Sequence, residues 1–292
     1  MTVRIGFIGA GFIARTHNWF LKHTAADHRI TAVCDVDPDR ALAFADRVGA
    51  DVVDEHDLLD RVDAVFVTTW TSEHERLVAA AAERGVAVFC EKPLAVDAAS
   101  AQRMADAVEA ARCGRGTLLE HSIHDVDIMQ WMCGPVDSVS GIVREVHGYP
   151  RIDDVAVARL DFANGGVASL TSIWHDILDR PSLRHVEIFC ENLYLHLDGE
   201  ATSPITWQFT GEAVQTLGGD ALARACIDAG LARERDLAPV PAGAMFNPLT
   251  PFLDAIASGA PSPLPLRQAL CAHRIVDAIY ASADGSGVPT PV

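Results

Sequence analysis

The stretch VRIGFIGAGFIARTH constrains this chain more than any other. An apolar run, Val3 to Ile8, gives way at once to Gly9, Gly11 and Ala14 in a G-x-G-x-x-A spacing, and then to an amphipathic segment. That order is strand, tight turn, helix. Glycines in such a turn let backbone N–H groups come close to a bound anion, and a helix start adds partial positive charge. Taken alone the glycine spacing is a weak signal. Here a second apolar run, RITAVC, follows and ends in Asp35, 24 residues after Gly11. Together these supply the context of a dinucleotide fingerprint. The spacing places a pyrophosphate on Gly9, Gly11 and the helix start at Phe12 and Ile13. Asp35 then accepts the adenosine ribose hydroxyls and repels a 2′-phosphate, so NAD is expected rather than NADP. The competing reading of CDVDPDRA is a capped helix start with acidic residues in its first turn, a role that Asp37 suits better than Asp35.

The rest of the first third repeats this logic. DAVFVTT and VAVFCE read as further buried strands; DPDRALAFADRVG, SEHERLVAAAAERG and DAASAQRMADAVEAAR read as helices. Alternating strands and helices imply crossovers and a parallel sheet, which is the α/β Rossmann architecture. After residue 112 the order changes. TLLEHSIHDVDIMQWM has helical spacing, and VDSVSGIVREV, DDVAVARLDF, GVASLTSIW, RHVEIFC and LYLHLD are closely spaced strands, with Asn164-Gly165 as a hairpin turn. Helices return at about 218–233, 248–258 and 265–283. The expected organisation is a Rossmann dinucleotide-binding domain over 1–112 and an α+β domain with a mostly antiparallel open sheet over 113–292.

Charge excludes some partners. A formal charge of −17 lacks the basic patches that nucleic acid or an anionic membrane surface requires, and no apolar run reaches the ~18 residues of a membrane span. Seven scattered cysteines without a C-x-x-C pair fit a reducing cytoplasm. An anionic ligand must therefore be met locally, by backbone N–H groups and a helix terminus.

Over VDAVFVTTWTSEHERLVAAAAERGVAVFCEKPLA the chain resembles the Gfo/Idh/MocA family of NAD(P)-dependent oxidoreductases, which includes glucose-fructose oxidoreductase and inositol dehydrogenase. Glu91-Lys92-Pro93 resembles the family's E-K-P motif, Thr69 to His74 its T-P-N-x-x-H segment, and GTLLEHSIHDVD its G-x-x-x-D-x-x-x-H-x-x-D segment. Trp70 departs from the family's Pro and Glu120 from its Asp. The resemblance implies a cofactor site that includes Thr68, Thr69, His74, Glu91 and Lys92. It also implies a general base at His124 partnered by Glu120, a substrate hydroxyl held by Lys92, and a sugar, inositol or similar polyol as substrate. Homo-oligomerisation through the C-terminal sheet is expected. A catalytically silent NAD-binding or sensor protein and an NAD-dependent glycoside-cleaving enzyme are the alternatives.

Lys92 stands out without the resemblance. The chain holds only two lysines, Lys22 and Lys92, against 21 arginines. Where a bare positive charge suffices the sequence uses Arg, so a Lys after a buried strand, at the carboxyl end of the sheet, suits a compact donor to a hydroxyl. On one continuous helix Glu120 and His124 share a face, and a carboxylate beside an imidazole stabilises its protonated form. A metal site competes for the same residues, but H-x-x-H-D lacks the i, i+4 histidine pair of helical zinc sites, and no metal is assigned. A solvated helix face is the plain reading for His121 and Asp125. His74 is open between the nicotinamide side and a helix start, and Trp174 and His175 end a strand where a substrate pocket is expected.

The joint before this helix is short. A crossover helix at 97–112 should return the chain to the sheet, yet CGRG leads directly into another helix. Set against the family, a strand and part of the second domain are missing near Arg112-Cys113-Gly114. Such a loss exposes a sheet edge and apolar surface, and reduced stability or altered oligomerisation is the expectation.

Overall fold

In the computed structural model, described here for residues 2–107, 117–148, 152–175, 184–199, 203–240, 243–261 and 266–292, the fingerprint strand lies at the centre of a parallel sheet. The strands β1 (Val3–Ile8), β2 (His28–Cys34), β3 (Asp51–Val52), β4 (Ala64–Val67) and β5 (Ala87–Cys90) are ordered β3-β2-β1-β4-β5. Four are apolar runs, and β1 and β4 are buried almost throughout, as strands covered on both faces must be. The helices α1 (Phe12–Lys22), α2 (Pro38–Val48), α3 (Glu55–Leu59), α4 (Thr71–Glu83) and α5 (Ala98–Ala107) connect and follow these strands. Local signals set α2: Asp37 caps it by accepting from the N–H groups of Asp39 and Arg40, Pro38 opens it, and Gly49 closes it at φ 71°. The β3 and α3 elements are too short to show periodicity in the sequence.

Next come α6 (Thr117–Glu120) and α7 (Ile123–Cys133), where the sequence predicts one helix. The helix breaks because the His121 and Ser122 N–H groups both bond the Thr117 carbonyl, closing the turn before α7 begins. The strands β6 (Val136–Arg144), β7 (Val155–Phe162) and β8 (Val167–Ile173) then form an antiparallel sheet. The Asn164-Gly165 turn joins β7 to β8 as expected, with Gly165 at φ 86°. Strict alternation of buried and exposed residues in β7 shows that one face of this sheet is covered.

Strands β9 (Arg184–Phe189), β10 (Leu193–Gly199), β11 (Ile205–Phe209) and β12 (Gln215–Leu217) make a second antiparallel sheet, ordered β12-β11-β10-β9. After α8 (Gly219–Asp228), β13 (Leu237–Val240) pairs with β14 (Gly243–Phe246). Then follow α9 (Leu249–Ser258), α10 (Leu266–Asp284) and β15 (Thr290–Pro291), which adds to β6. The helix expected over 218–233 is shorter, because Gly230 takes φ 73° and stops it.

By packing, the chain forms one unit of residues 1–15, 28–176 and 261–292 and another of 16–27 and 177–260. This division differs from a boundary at 112 for a reason visible in α10. Its Leu270 belongs to the core of the parallel sheet, whereas Ile275, Val276 and Ile279 belong to the core under β6 to β8. Gly141 permits that packing, since a Cβ there would lie 2.6 Å from Ile279 Cγ2. Among the described residues no strand rejoins the parallel sheet after α5. The joint at Arg112-Cys113-Gly114 lies outside the described residues.

Candidate active site

The fingerprint turn is built by three stitches. Gly9 adopts φ 92°, and a Cβ there would stand 2.6 Å from the Thr68 carbonyl oxygen, so only glycine fits. Thr68, buried at the end of β4, donates its hydroxyl to the Gly9 carbonyl at 2.7 Å. Asp35 accepts from the Ala10 N–H at 2.7 Å and the Asp37 N–H at 2.9 Å, and its side chain is only 4% exposed. The sequence assigns Asp35 to a ribose; the structure shows it also tying the end of β2 to the glycine turn, with the Arg40 guanidinium 3.7 Å away. Two of its lone-pair positions are thus committed within the protein.

Gly11 is different. A Cβ there would meet nothing within 4 Å, so nothing in the protein requires glycine at that position. Phe12, next in line, is 80% exposed, and the first turn of α1 carries no acidic side chain. An open helix start without acidic side chains, and with a glycine whose missing side chain leaves free space, fits a pyrophosphate. Gly9, Gly11, Phe12 and Ile13 would hold the pyrophosphate of a dinucleotide whose nicotinamide would supply the hydride acceptor or donor.

Lys92 follows β5, joined to Pro93 by a cis peptide bond. Its Nζ donates to the Glu120 carbonyl oxygen at 3.1 Å, and its N–H donates to Glu91 Oε2 at 2.9 Å. The Glu120 side chain is half-buried. Burial pushes its carboxyl above the usual range, while the Lys92 charge and a hydrogen bond from the Thr71 hydroxyl pull it back. Lys92, Glu120 and Thr71 therefore converge from three elements. His124 sits exposed on the first turn of α7, separated from Glu120 by the break at 121–122. The shared helical face expected from the sequence does not form as one continuous helix.

His74 is buried, with Nδ1 3.1 Å from the Pro93 carbonyl and 3.3 Å from that of Leu94, and Nε2 3.3 Å from the Thr69 carbonyl. Burial lowers its pKa, while the carbonyl oxygens at both ring nitrogens favour the protonated form. The ring braces the turn after Lys92 against the Thr69 segment. Thr69 donates to the Trp70 carbonyl at 3.3 Å, and Trp70 is 84% exposed at the start of α4. Trp174 ends β8 with its N–H on the Asp154 carbonyl at 2.8 Å, and His175 follows it, partly buried.

The sequence reading passes over several residues that support the site. Thr71 lies inside the segment from Thr69 to His74 and touches Glu120. Asp153 is buried, accepts from the Leu118 N–H at 3.0 Å and from Tyr280 Oη at 2.7 Å, and so anchors the first turn of α6. Only a tertiary structure links Tyr280 to Asp153.

A Rossmann sheet with this glycine turn, followed by α+β elements of which α6 brings Glu120 to Lys92, defines a dinucleotide-binding fold of two parts. Two family models agree: the oxidoreductase family with NAD-binding Rossmann fold matches residues 3–114, and the GFO/IDH/MocA C-terminal domain matches 92–196. The chain belongs to the Gfo/Idh/MocA oxidoreductase family.

Among curated proteins, inositol 2-dehydrogenase 3 of Saccharopolyspora erythraea is 44% identical over 119 residues, covering 38% of this chain and 34% of the relative. The chain thus matches about a third of the length of such relatives. Among solved structures, levoglucosan dehydrogenase in complex with NADH and levoglucosan superposes with a TM-score of 0.84 at 18% identity, over 100% of this chain and 99% of that one. The WlbA dehydrogenase from Bordetella pertussis, in complex with NADH and UDP-GlcNAcA, gives 0.81 at 18% identity, over 100% and 98%. At these identities the likeness is one of fold.

Proposed function

We propose that the chain transfers hydride between a secondary hydroxyl of a sugar, inositol or similar polyol and a nicotinamide bound at the fingerprint turn. The observation that carries this reading is the convergence of Lys92, Glu120 and Thr71, which places a point-charge donor beside a carboxyl whose proton affinity is raised. Lys92 donates to the hydroxyl oxygen and stabilises the negative charge that develops as the proton leaves. His124 takes that proton. Glu120, whose ionised form Lys92 and Thr71 favour against the effect of burial, stabilises the imidazolium, which requires His124 to turn toward it across the break between α6 and α7. Asp35 favours NAD over NADP. Trp174 and His175 line the sugar side.

The names of the relatives and neighbours support a polyol or sugar substrate, since they include an inositol dehydrogenase and sugar-bound dehydrogenases. We read the protein as cytoplasmic, consistent with scattered cysteines that form no C-x-x-C pair and with no described helix long and apolar enough to cross a membrane. Oligomerisation through the β6 to β8 sheet is supported by Ile142, Val157 and Ile173, all about half exposed on its outer face.

The test is Lys92→Ala assayed with a polyol panel by reduced-nicotinamide absorbance. Turnover is expected to vanish while NADH binding, followed by fluorescence, persists. Unchanged turnover overturns the assignment.

A further inference from the structure

Strand pairing between β9 and β10 sets His185 opposite Asp198 and Glu187 opposite His196. Alternation puts all four side chains on one face, together with Tyr194. The contacts there converge on Asp198. Its Oδ1 lies 2.6 Å from His185 Nδ1, and its Oδ2 lies 2.9 Å from His196 Nε2. Ligand-capable atoms of His185, His196 and Asp198 all lie within 4.8 Å of one another. Glu187 borders the same group, with Oε2 3.4 Å from His185 Nε2, and Tyr194 Oη donates to its other oxygen at 2.7 Å.

We propose that His185, His196 and Asp198 form a binding site for a divalent transition-metal ion, zinc above all, with Glu187 beside His185 as an outer partner. Two imidazoles and a carboxylate suit zinc, cobalt or nickel, whereas magnesium and calcium prefer sets made of oxygen alone. The strand register pre-places the ligands, and Glu187, itself held by the Tyr194 hydroxyl, faces His185 Nε2 in the way outer carboxylates orient metal-ligating imidazoles. Without metal, the imidazoles hydrogen-bond the two carboxylates, and exposed pairs of that kind contribute little stability. A bound cation takes the place of those contacts and clamps β9 to β10. The thiols and the site at Lys92 take no part, so the inference does not rest on the proposed hydride transfer.

The experiment uses the full chain, freed of metal by a chelator and titrated with Zn2+ by calorimetry, with Co2+ absorption as a second readout and Mg2+ as a control. One Zn2+ per chain, a higher melting temperature with Zn2+, and no heat with Mg2+ are expected. His185→Ala and Asp198→Asn should each weaken binding by about tenfold or more, and the double variant His185→Ala, His196→Ala should abolish both the site and the rise in melting temperature. These residues are exposed or partly exposed on a sheet surface, and the metal-free melting temperature of each variant reports that it folds. Absence of saturable binding at one ion per chain overturns the proposal, as does Zn2+ binding that the double variant leaves unchanged.

Discussion

Lys92 Nζ donates to the backbone carbonyl of Glu120 at 3.1 Å, so the one lysine beyond Lys22 is fastened to the residue that supplies the neighbouring carboxyl. Because burial raises the pKa of Glu120 and Thr71 lowers it, ionisation of Glu120 should appear in catalysis. The kcat/KM for polyol oxidation is expected to fall on the acid side at a pH above the ordinary glutamate range. Thr71→Val should move that limb upward by about one to two pH units, since a hydrogen bond to a charged group is worth about 1.5–3 kcal/mol. An unmoved limb in Thr71→Val counts against a role for the Glu120 carboxylate.

Gly9 and Gly11 share a motif but should respond differently to the same substitution. Gly9→Ala puts a methyl 2.6 Å from the Thr68 carbonyl at φ 92° and should cost at least about 1–3 kcal/mol in stability by denaturant melt. Gly11→Ala meets open space, so its melt should match the parent, while its Kd for NADH should rise about tenfold or more. Equal NADH binding by Gly11→Ala and the parent would remove the phosphate cradle from the description.

His273 is buried in α10 with neither ring nitrogen bonded among the described residues, and burial pushes its pKa down to about 4. The unfolded chain takes up a proton near pH 6.5 that the folded chain refuses until about 4. Stability is therefore full above pH 6.5 and declines as pH falls toward 4, by about 1.4 kcal/mol per unit. His273→Leu should flatten this stretch of the melting-temperature profile. It should cost little at neutral pH, because no hydrogen bond among the described residues is lost. A variant profile as steep as the parent's refutes the assignment.

Tyr280→Phe removes the donor to buried Asp153, which holds the first turn of α6 two residues before Glu120. The expected loss is about 1–3 kcal/mol of stability. It should come with a raised KM for the polyol and an unchanged Kd for NADH, read by steady-state kinetics and fluorescence titration. Loss of both affinities together points instead to general unfolding.

Patterns that repeat within a few residues were legible without coordinates. The parallel sheet, the capped α2, the Asn164-Gly165 hairpin and the glycine turn all rest on local periodicity or backbone sterics, as does the antiparallel second half. The E-K-P motif marked Lys92 on sequence alone. The break at His121 was not legible, because apolar spacing continues through it and only the shared Thr117 carbonyl shows the turn. Nor was the bond from the Ala10 N–H to Asp35, since it spans 25 residues.

By itself, then, the sequence determined most of the strands and helices and the position of the glycine turn, because chain-neighbour sterics and hydrophobic alternation settle those matters locally. Tertiary structure alone decided that Lys92 meets Glu120, that α10 serves two cores, and that His185 meets His196 and Asp198. Each of those contacts joins residues distant in the chain or set face to face by strand register. Such contacts follow from how whole elements pack, and no window of neighbouring residues contains that information.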